Sequence, residues 1–93
     1  MKIFVINIKD KEIYLTKERW LHIIKEHPEI INYIQYLEEI LQNPTKILDY
    51  ERDKKVKYYY KYYKEKSQYL LTIVKYLNGK GFIITAYFVG KIK

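Results

Sequence analysis

The amino-acid sequence predicts an α+β protein in which one or two N-terminal strands and two α-helices pack on a four-stranded antiparallel β-sheet. Three observations favour this fold class. The chain has 93 residues, which suits one hydrophobic core, so a single domain is expected over residues 1–93. Apolar residues recur at helical spacing before Asn43-Pro44, whereas runs rich in tyrosine and β-branched residues follow it. The polar breaks between these runs are short, which indicates antiparallel hairpins.

The N-terminal segment 1–9 is apolar and is predicted to form a strand. It is far too short to span a bilayer and has no small-residue cleavage signal. Residues 12–15 form a second strand or an extended lead-in to the first helix. Charges interrupt every other apolar run, so we expect no transmembrane segment and no membrane partner. The absence of cysteine favours a reducing compartment, and a cytoplasmic location is expected.

Two helices are predicted next. Thr16 suits the N-cap of a first helix, about 17–26, because its hydroxyl can accept a backbone N–H of the first turn. His27 lies on the apolar face of this helix and His22 on the polar side. Pro28 suits the first turn of a second helix that ends near residue 42. Its apolar stripe consists of Ile30, Ile31, Ile34, Leu37, Ile40 and Leu41.

Four strands are predicted after Pro44, near 46–52, 56–63, 69–77 and 82–89. Asn78-Gly79 is the clearest turn signal between them. One face of such a sheet needs an apolar cover, and the helical stripe is the candidate.

The net charge of +7 is concentrated in the second half of the chain. Residues 1–45 hold 6 Lys/Arg and 7 Asp/Glu, whereas residues 46–93 hold 12 and 4. A basic region of this kind can serve nucleic acid, anionic lipid or an acidic protein, or it can serve solubility alone. Charge therefore leaves the class of partner open.

The densest motif is the run of tyrosines and lysines between residues 57 and 64. Strand alternation places Lys57, Tyr59, Lys61 and Tyr63 on one face and Tyr58, Tyr60 and Tyr62 on the other. The simplest arrangement buries the second set against the helices and leaves the first set outside, where lysines meet phosphates and phenol rings stack on bases. The alternative is a solvated strand, since tyrosine favours strands and lysine protects sheets from aggregation.

Histidine provides the candidate acid or base. Imidazole titrates near neutral pH, which suits transfer of a ribose 2′-hydroxyl proton. His22 and His27 are roughly 140° apart around one helix, so they cannot chelate an ion together, and no metal site or cofactor is expected. The alternative roles are a solvated His22 and a hydrogen-bonded structural His27.

Three further side chains could contact a phosphate. Thr85 and Tyr87 share one face of the last strand, opposite a set that looks like core: Phe82, Ile84, Ala86 and Phe88. Arg52 ends the first strand of the sheet, where its planar guanidinium could clamp a phosphate. Equally, Thr85 and Tyr87 could be ordinary strand residues, and Arg52 could pair with Asp49, Glu51 or Asp53.

The order of several short motifs resembles one known family. These motifs are His22-Ile23, His27-Pro28-Glu29-Ile30, Asn43-Pro44, the tyrosine-rich strand and Ile84-Thr85-Ala86-Tyr87-Phe88. They resemble the phage-associated barnase/EndoU/colicin E5–D/RelE-like nucleases over about residues 16–93. The resemblance implies helices before a four-stranded antiparallel sheet, as in RelE and barnase, and a metal-independent ribonuclease. Members are often toxins of phage-linked or toxin–antitoxin systems.

The resemblance also implies a catalytic set of His22 or His27, Arg52, and Thr85 with Tyr87. Histidine would act as acid or base while the 2′-OH attacks the adjacent phosphorus, and Arg52 or a strand lysine would stabilise the charge. The implied partners are RNA and an acidic antitoxin or immunity protein. Two other classes stay open: a non-catalytic RNA-binding module that uses the Tyr/Lys face, and an adaptor for an anionic protein.

Overall fold

Strands and helices follow the predicted order along the chain. The computed structural model describes residues 2–8 and 11–92. The elements are β1 (Lys2–Ile8), β2 (Lys11–Thr16), α1 (Lys17–Glu26), a 3₁₀ helix (Pro28–Tyr33), α2 (Ile34–Gln42), β3 (Lys46–Tyr50), β4 (Asp53–Tyr63), β5 (Gln68–Leu77) and β6 (Lys80–Val89). No helix among these residues is long and apolar enough to cross a membrane.

The sheet is larger than the sequence predicted. Across the described residues it has six strands in the order β1-β2-β6-β5-β4-β3. The antiparallel arrangement of β3 to β6 is confirmed. The prediction of a purely antiparallel four-stranded sheet was wrong, because the β1–β2 hairpin joins it through a parallel pairing of β2 with β6. This pairing satisfies backbone groups that would otherwise be exposed along the edge of β6.

The parallel pairing is short. It runs only from Glu12 opposite Lys80 to Tyr14 opposite Phe82, at the start of β6. After Thr16 the chain leaves the sheet as α1, which contacts β6. The end of α1 is thereby placed beside the second half of β6.

Local signals explain the helices. The Thr16 hydroxyl accepts the backbone N–H of Arg19 at 3.1 Å and caps α1, as predicted. The segment after Pro28 differs from the prediction, because its first six residues form a 3₁₀ helix before α2 begins. The backbone N–H of Ile30 donates to the carbonyl oxygen of His27, three residues earlier, at 3.1 Å. The predicted stripe is largely buried, but Ile31 is exposed.

One face of the sheet, here called the helix face, packs against the helices. Its core combines Trp20 and Ile23 from α1 with residues of α2 and the sheet. The central strands contribute Leu70, Val74 and Ala86. The opposite face carries the alternate residues of each strand and is here called the open face.

The predicted orientation of β4 was wrong. Tyr59 and Tyr63 are buried on the helix face, whereas Tyr62 is exposed on the open face. The Tyr63 hydroxyl donates to Glu39 Oε1 at 2.7 Å, and the hydroxyls of Tyr59 and Tyr76 are 2.5 Å apart. Buried phenols with paired hydroxyls fill the space beneath α2 without leaving an unsatisfied polar group.

The two lysines on the helix face of β4 reach its rim. Lys57 Nζ lies 2.6 Å from Asp49 Oδ1, and Lys61 Nζ donates to the carbonyl oxygen of Asn43 at 3.0 Å. Their aliphatic stems can cover apolar surface while the ammonium groups reach polar partners. Interleaved lysines therefore did not mark the solvent side of this strand.

Strand β6 contains a second departure from the predicted alternation. The Asn78-Gly79 turn is confirmed, with φ of 53° and 80° at its two residues. The register against β5 then shifts between Ile73 and Val74, which indicates a β-bulge at Ile84. The bulge leaves Ala86 on the helix face as predicted but turns Ile83 inward and Phe82 outward, so Phe82 is exposed and is not core.

Alkaline pH is expected to destabilise the fold. Burial and then the hydrogen bonds to Tyr76 and Glu39 raise the pKa of Tyr59 and Tyr63, respectively, above the ordinary value of 10.0. The unfolded chain therefore loses these protons first, and the free energy of unfolding falls as pH rises through about 10. Urea midpoints between about pH 8 and pH 11 measure the loss. Tyr63→Phe should make the loss smaller, and an unchanged loss in this variant would contradict the assignment.

Candidate active site on the open face of the sheet

His27 lies where α1 ends, beside the second half of β6. Its backbone N–H donates to the Ile23 carbonyl oxygen at 2.8 Å, and Pro28 then starts the 3₁₀ helix. The imidazole stacks on the ring of Tyr87, with the ring centroids 4.7 Å apart and the planes 19° apart. The side chain is 30% exposed. A titratable ring is thus fixed by an aromatic contact and still accessible to a substrate.

Glu29 contributes a carboxylate to the same corner. Its Oε2 lies 4.0 Å from Nδ1 of His27. A carboxylate on the Nδ1 side can orient an imidazole and leave Nε2 for proton transfer. Sequence reasoning assigned Glu29 no role in the site, because an acidic residue in the first turn of a helix has the simpler explanation of complementing the helix dipole.

His22 is separate from this corner. Its Nε2 lies 3.4 Å from Glu26 Oε1, and the side chain is 53% exposed. The structure therefore distinguishes the two histidines and brings only His27 to Tyr87.

Thr85 and Tyr87 follow each other on the open face of β6. Thr85 is opposite Ile73 on β5, and Ile73 is opposite Tyr58 on β4. The Thr85 hydroxyl oxygen exposes less than 1 Å² and has no hydrogen-bond partner among the described residues. Tyr87 is only partly buried. Of the two, Tyr87 is the side chain positioned to contact a ligand.

Arg52 lies at the other end of the open face, at the tip of the β3–β4 hairpin. It lines a depression of about 430 Å³ together with Tyr50, Tyr58 and Tyr60. Strands β6 and β3 are three strand spacings apart, so Arg52 lies at least about 14 Å from the His27–Tyr87 pair, and an offset along the strands adds to this separation. Within residues 2–8 and 11–92 it makes no ion pair.

A second depression, of about 230 Å³, adjoins the first on the open face. It is lined by Tyr58, Tyr60 and Tyr87 and by Lys91 after the end of β6. Tyr58 and Tyr60 also line the depression at Arg52, so the surface is continuous from Arg52 to the His27–Tyr87 pair. Sequence reasoning missed Lys91, since a lysine near a chain end has no distinguishing neighbours.

Tyr58 lies centrally on this surface. Burial, and then the phenols of Tyr50 and Tyr87, raises the pKa of the Tyr58 hydroxyl. The phenol therefore stays protonated at neutral pH and can donate a hydrogen bond. Its proximity to both neighbours indicates that side chains from β3, β4 and β6 converge on the open face.

The predicted nucleic-acid ladder does not belong to this surface. Lys57, Tyr59, Lys61 and Tyr63 are on the helix face, with the partners described above. The other side of β4 places Tyr58, Tyr60 and Tyr62 on the open face, where Tyr62 is exposed and Tyr60 is buried by its neighbours. Alternation along the strand was predicted correctly, but the two faces were exchanged.

The described part of the chain, residues 2–8 and 11–92, holds no cluster of three His, Asp or Glu side chains that could bind a metal ion. A family model described as phage-Barnase-EndoU-ColicinE5/D-RelE like nuclease 2 matches residues 3–91. No curated protein and no solved structure matches the chain significantly.

Proposed function

Because the chain belongs to the phage-Barnase-EndoU-ColicinE5/D-RelE like nuclease 2 family, we propose that it is an endoribonuclease that needs no metal ion. The observation that carries this proposal is the His27–Tyr87 stack at the border of the open face. It provides an accessible acid or base next to a surface that is wide enough for an oligonucleotide. RNA is the proposed substrate because its 2′-hydroxyl supplies an internal nucleophile.

The proposed reaction is a transesterification. The ribose 2′-oxygen attacks the adjacent phosphorus, the bond from phosphorus to the 5′-oxygen breaks, and the products carry a 2′,3′-cyclic phosphate and a 5′-hydroxyl. His27 takes the proton of the 2′-hydroxyl or protonates the leaving 5′-oxygen. Glu29 Oε2, 4.0 Å from Nδ1, is beyond hydrogen-bonding distance in this structure and would have to move closer to orient the imidazole for either role.

The negative charge that develops on the phosphate oxygens in the transition state must be stabilised by hydrogen-bond donors or cations. The phenols of Tyr87 and Tyr58 and the ammonium of Lys91 adjoin the same depression. Hydrogen bonds from such groups are strongest where charge develops during the reaction. Arg52, at least about 14 Å away, suits a phosphate farther along the bound strand. Thr85 is assigned no contact with the substrate, because its hydroxyl is shielded from solvent.

The requirement for a 2′-hydroxyl gives a test of the reaction. We expect the protein to cleave RNA in EDTA and to leave DNA of the same sequence intact. A DNA strand with a single ribonucleotide should be cut only at the phosphate that follows this ribose, and mass spectrometry should find a cyclic phosphate end. Cleavage of all-DNA strands, or activity that EDTA abolishes, would contradict the mechanism.

A toxin role is part of the proposal. An endoribonuclease without further control would degrade cellular RNA, and the basic second half offers a surface to an acidic antitoxin or immunity protein. Induced expression in bacteria should arrest growth, and the His27→Ala variant at equal abundance should not. Normal growth with abundant wild-type protein would contradict the toxin role without contradicting cleavage in vitro.

A non-catalytic RNA-binding module is the second candidate. The tyrosine-rich open face supports it, because aromatic rings and nearby cations bind RNA without any acid or base. RNA that binds and stays intact over long incubation would favour this candidate.

A further inference from the structure

Five tyrosines form a row on the open face, here called the tyrosine row: Tyr50, Tyr58, Tyr60, Tyr62 and Tyr69. The rings of Tyr50 and Tyr58 are stacked, with centroids 5.8 Å apart and planes 11° apart. Tyr69 makes edge contacts with both Tyr60 and Tyr62. Each ring of the row is therefore supported by a neighbouring ring.

The two ends of the tyrosine row are open to solvent. Tyr62 is 45% exposed and Tyr50 is 38% exposed, while Tyr60 between them is buried. Rigid, exposed aromatic rings bury much apolar area with little loss of side-chain entropy when a flat ligand stacks on them. The ends of the row thus offer two separate stacking positions.

The spacing of these positions suits several nucleotides. Tyr50 stacks on Tyr58, and Tyr58 lies four residues, or about 13 Å, from Tyr62 along β4, so the two outer rings are separated by at least about this length. Stacked bases rise about 3.4 Å each, so this length accommodates about four bases. The His27–Tyr87 pair lies two strands away, about 10 Å to one side. Bases over β4 would place the sugar-phosphate backbone toward β6 and the candidate catalytic group.

We propose that the tyrosine row binds the bases of single-stranded nucleic acid by stacking, with Tyr50 and Tyr62 as its two outer contacts. The inference rests on the proposed function for the orientation of the strand relative to His27. Arg52 and Lys91 border the row and supply positive charge for a polyanion. A duplex is disfavoured because its bases already stack on one another and expose no face to the tyrosines.

Binding is to be measured separately from cleavage. Fluorescence anisotropy with a labelled DNA 12-mer, which lacks the 2′-hydroxyl, reports affinity for a strand that the proposed chemistry cannot cut. At fixed ionic strength, Tyr50→Leu and Tyr62→Leu should each weaken binding about tenfold, a typical loss for one base stack. Phenylalanine at either position keeps the ring and should bind within about threefold of wild type. The duplex form of the same 12-mer should bind at least about tenfold more weakly.

Ile47→Ala is the matched control. Ile47 is 46% exposed on β3 and lies opposite Tyr59, on the helix face. The variant removes a similarly exposed apolar side chain from the same edge of the sheet and should leave affinity unchanged. Wild-type affinity in both leucine variants, equal affinity for duplex and single strand, or no binding at all would overturn the proposal.

A protein without the stacking site and a protein without nuclease activity would give different experimental results. A protein that cleaves RNA while its leucine variants bind like wild type lacks the stacking site but retains the proposed function. A protein that binds the 12-mer through Tyr50 and Tyr62 and never cleaves RNA retains the stacking site and lacks the nuclease activity.

Discussion

Replacing His27 with alanine is expected to lower the rate of RNA cleavage by about 10²- to 10⁴-fold, the usual contribution of a general acid or base. The ring is accessible, stacks on Tyr87 and has a carboxylate near Nδ1. Single-turnover cleavage of a labelled RNA at saturating protein measures the chemical step without the influence of affinity. The loss should appear in this rate constant, with little change in binding of the DNA 12-mer.

His22→Ala is the matched control on the same helix. Its side chain is more exposed, and its described partner is the surface carboxylate of Glu26. We expect full activity from this variant. Thermal melts of both variants show whether loss of the aromatic stack affects stability, for which about 1 kcal/mol is expected. Equal losses in the two variants, or full activity without His27, would contradict the assignment of the acid or base.

Replacing Tyr87 with leucine is expected to lower the single-turnover rate constant by about 10²-fold. The aromatic stack fixes the imidazole plane, and a misplacement of about 1 Å is enough to cause a loss of that size. Tyr87→Phe keeps the ring and removes only the hydroxyl. It should therefore retain at least about a tenth of the wild-type rate.

The two Tyr87 variants separate positioning from hydrogen bonding. If the phenylalanine variant is as slow as the leucine variant, the hydroxyl carries the effect and the stack does not. A leucine variant with wild-type rate would remove Tyr87 from the site. Affinity for the DNA 12-mer should change little in either variant, since Tyr87 lies beside the tyrosine row and not within it.

Local signals in the sequence predict most of the secondary structure. The Thr16 cap, the helical stripe and the Asn78-Gly79 turn each act within a few residues of the chain. The cap and the turn are confirmed, whereas the stripe is confirmed in part, because Pro28–Tyr33 forms a 3₁₀ helix and Ile31 is exposed. The pairing of β2 with β6 joins residues more than sixty positions apart, and no local pattern encodes it. The bulge at Ile84 likewise depends on the fit between β5 and β6.

The prediction exchanged the two faces of β4, and the reason for this error is physical. Both faces of β4 carry large tyrosines, so hydrophobicity does not distinguish them. Lysine was assumed to mark the solvent side, but Lys57 and Lys61 reach polar partners at the rim of the helix face. The buried tyrosines there are tolerated because Glu39 and Tyr76 pair with their hydroxyls. Glu39 and Tyr76 belong to α2 and β5, so the alternation of residues along β4 gives no information about them.

The candidate site was predicted in part. The sequence proposed two histidines, and the structure brings His27 to Tyr87 and leaves His22 on the outer side of α1. Arg52 and Tyr87 are on the same continuous surface but at different ends of it. Contacts such as these depend on the path of the chain between strands, which residue spacing alone does not determine.

We propose that RNA lies along the open face of the sheet, with His27 at the border of this face. An NMR titration with a non-cleavable single-stranded oligonucleotide tests it most directly, through the aromatic side-chain resonances of the protein. We expect the largest shift changes at Tyr50, Tyr62, Tyr87 and His27, with Trp20 and Tyr36 on the helix side unchanged. Changes concentrated at Trp20 and Tyr36, with the open face unaffected, would contradict it.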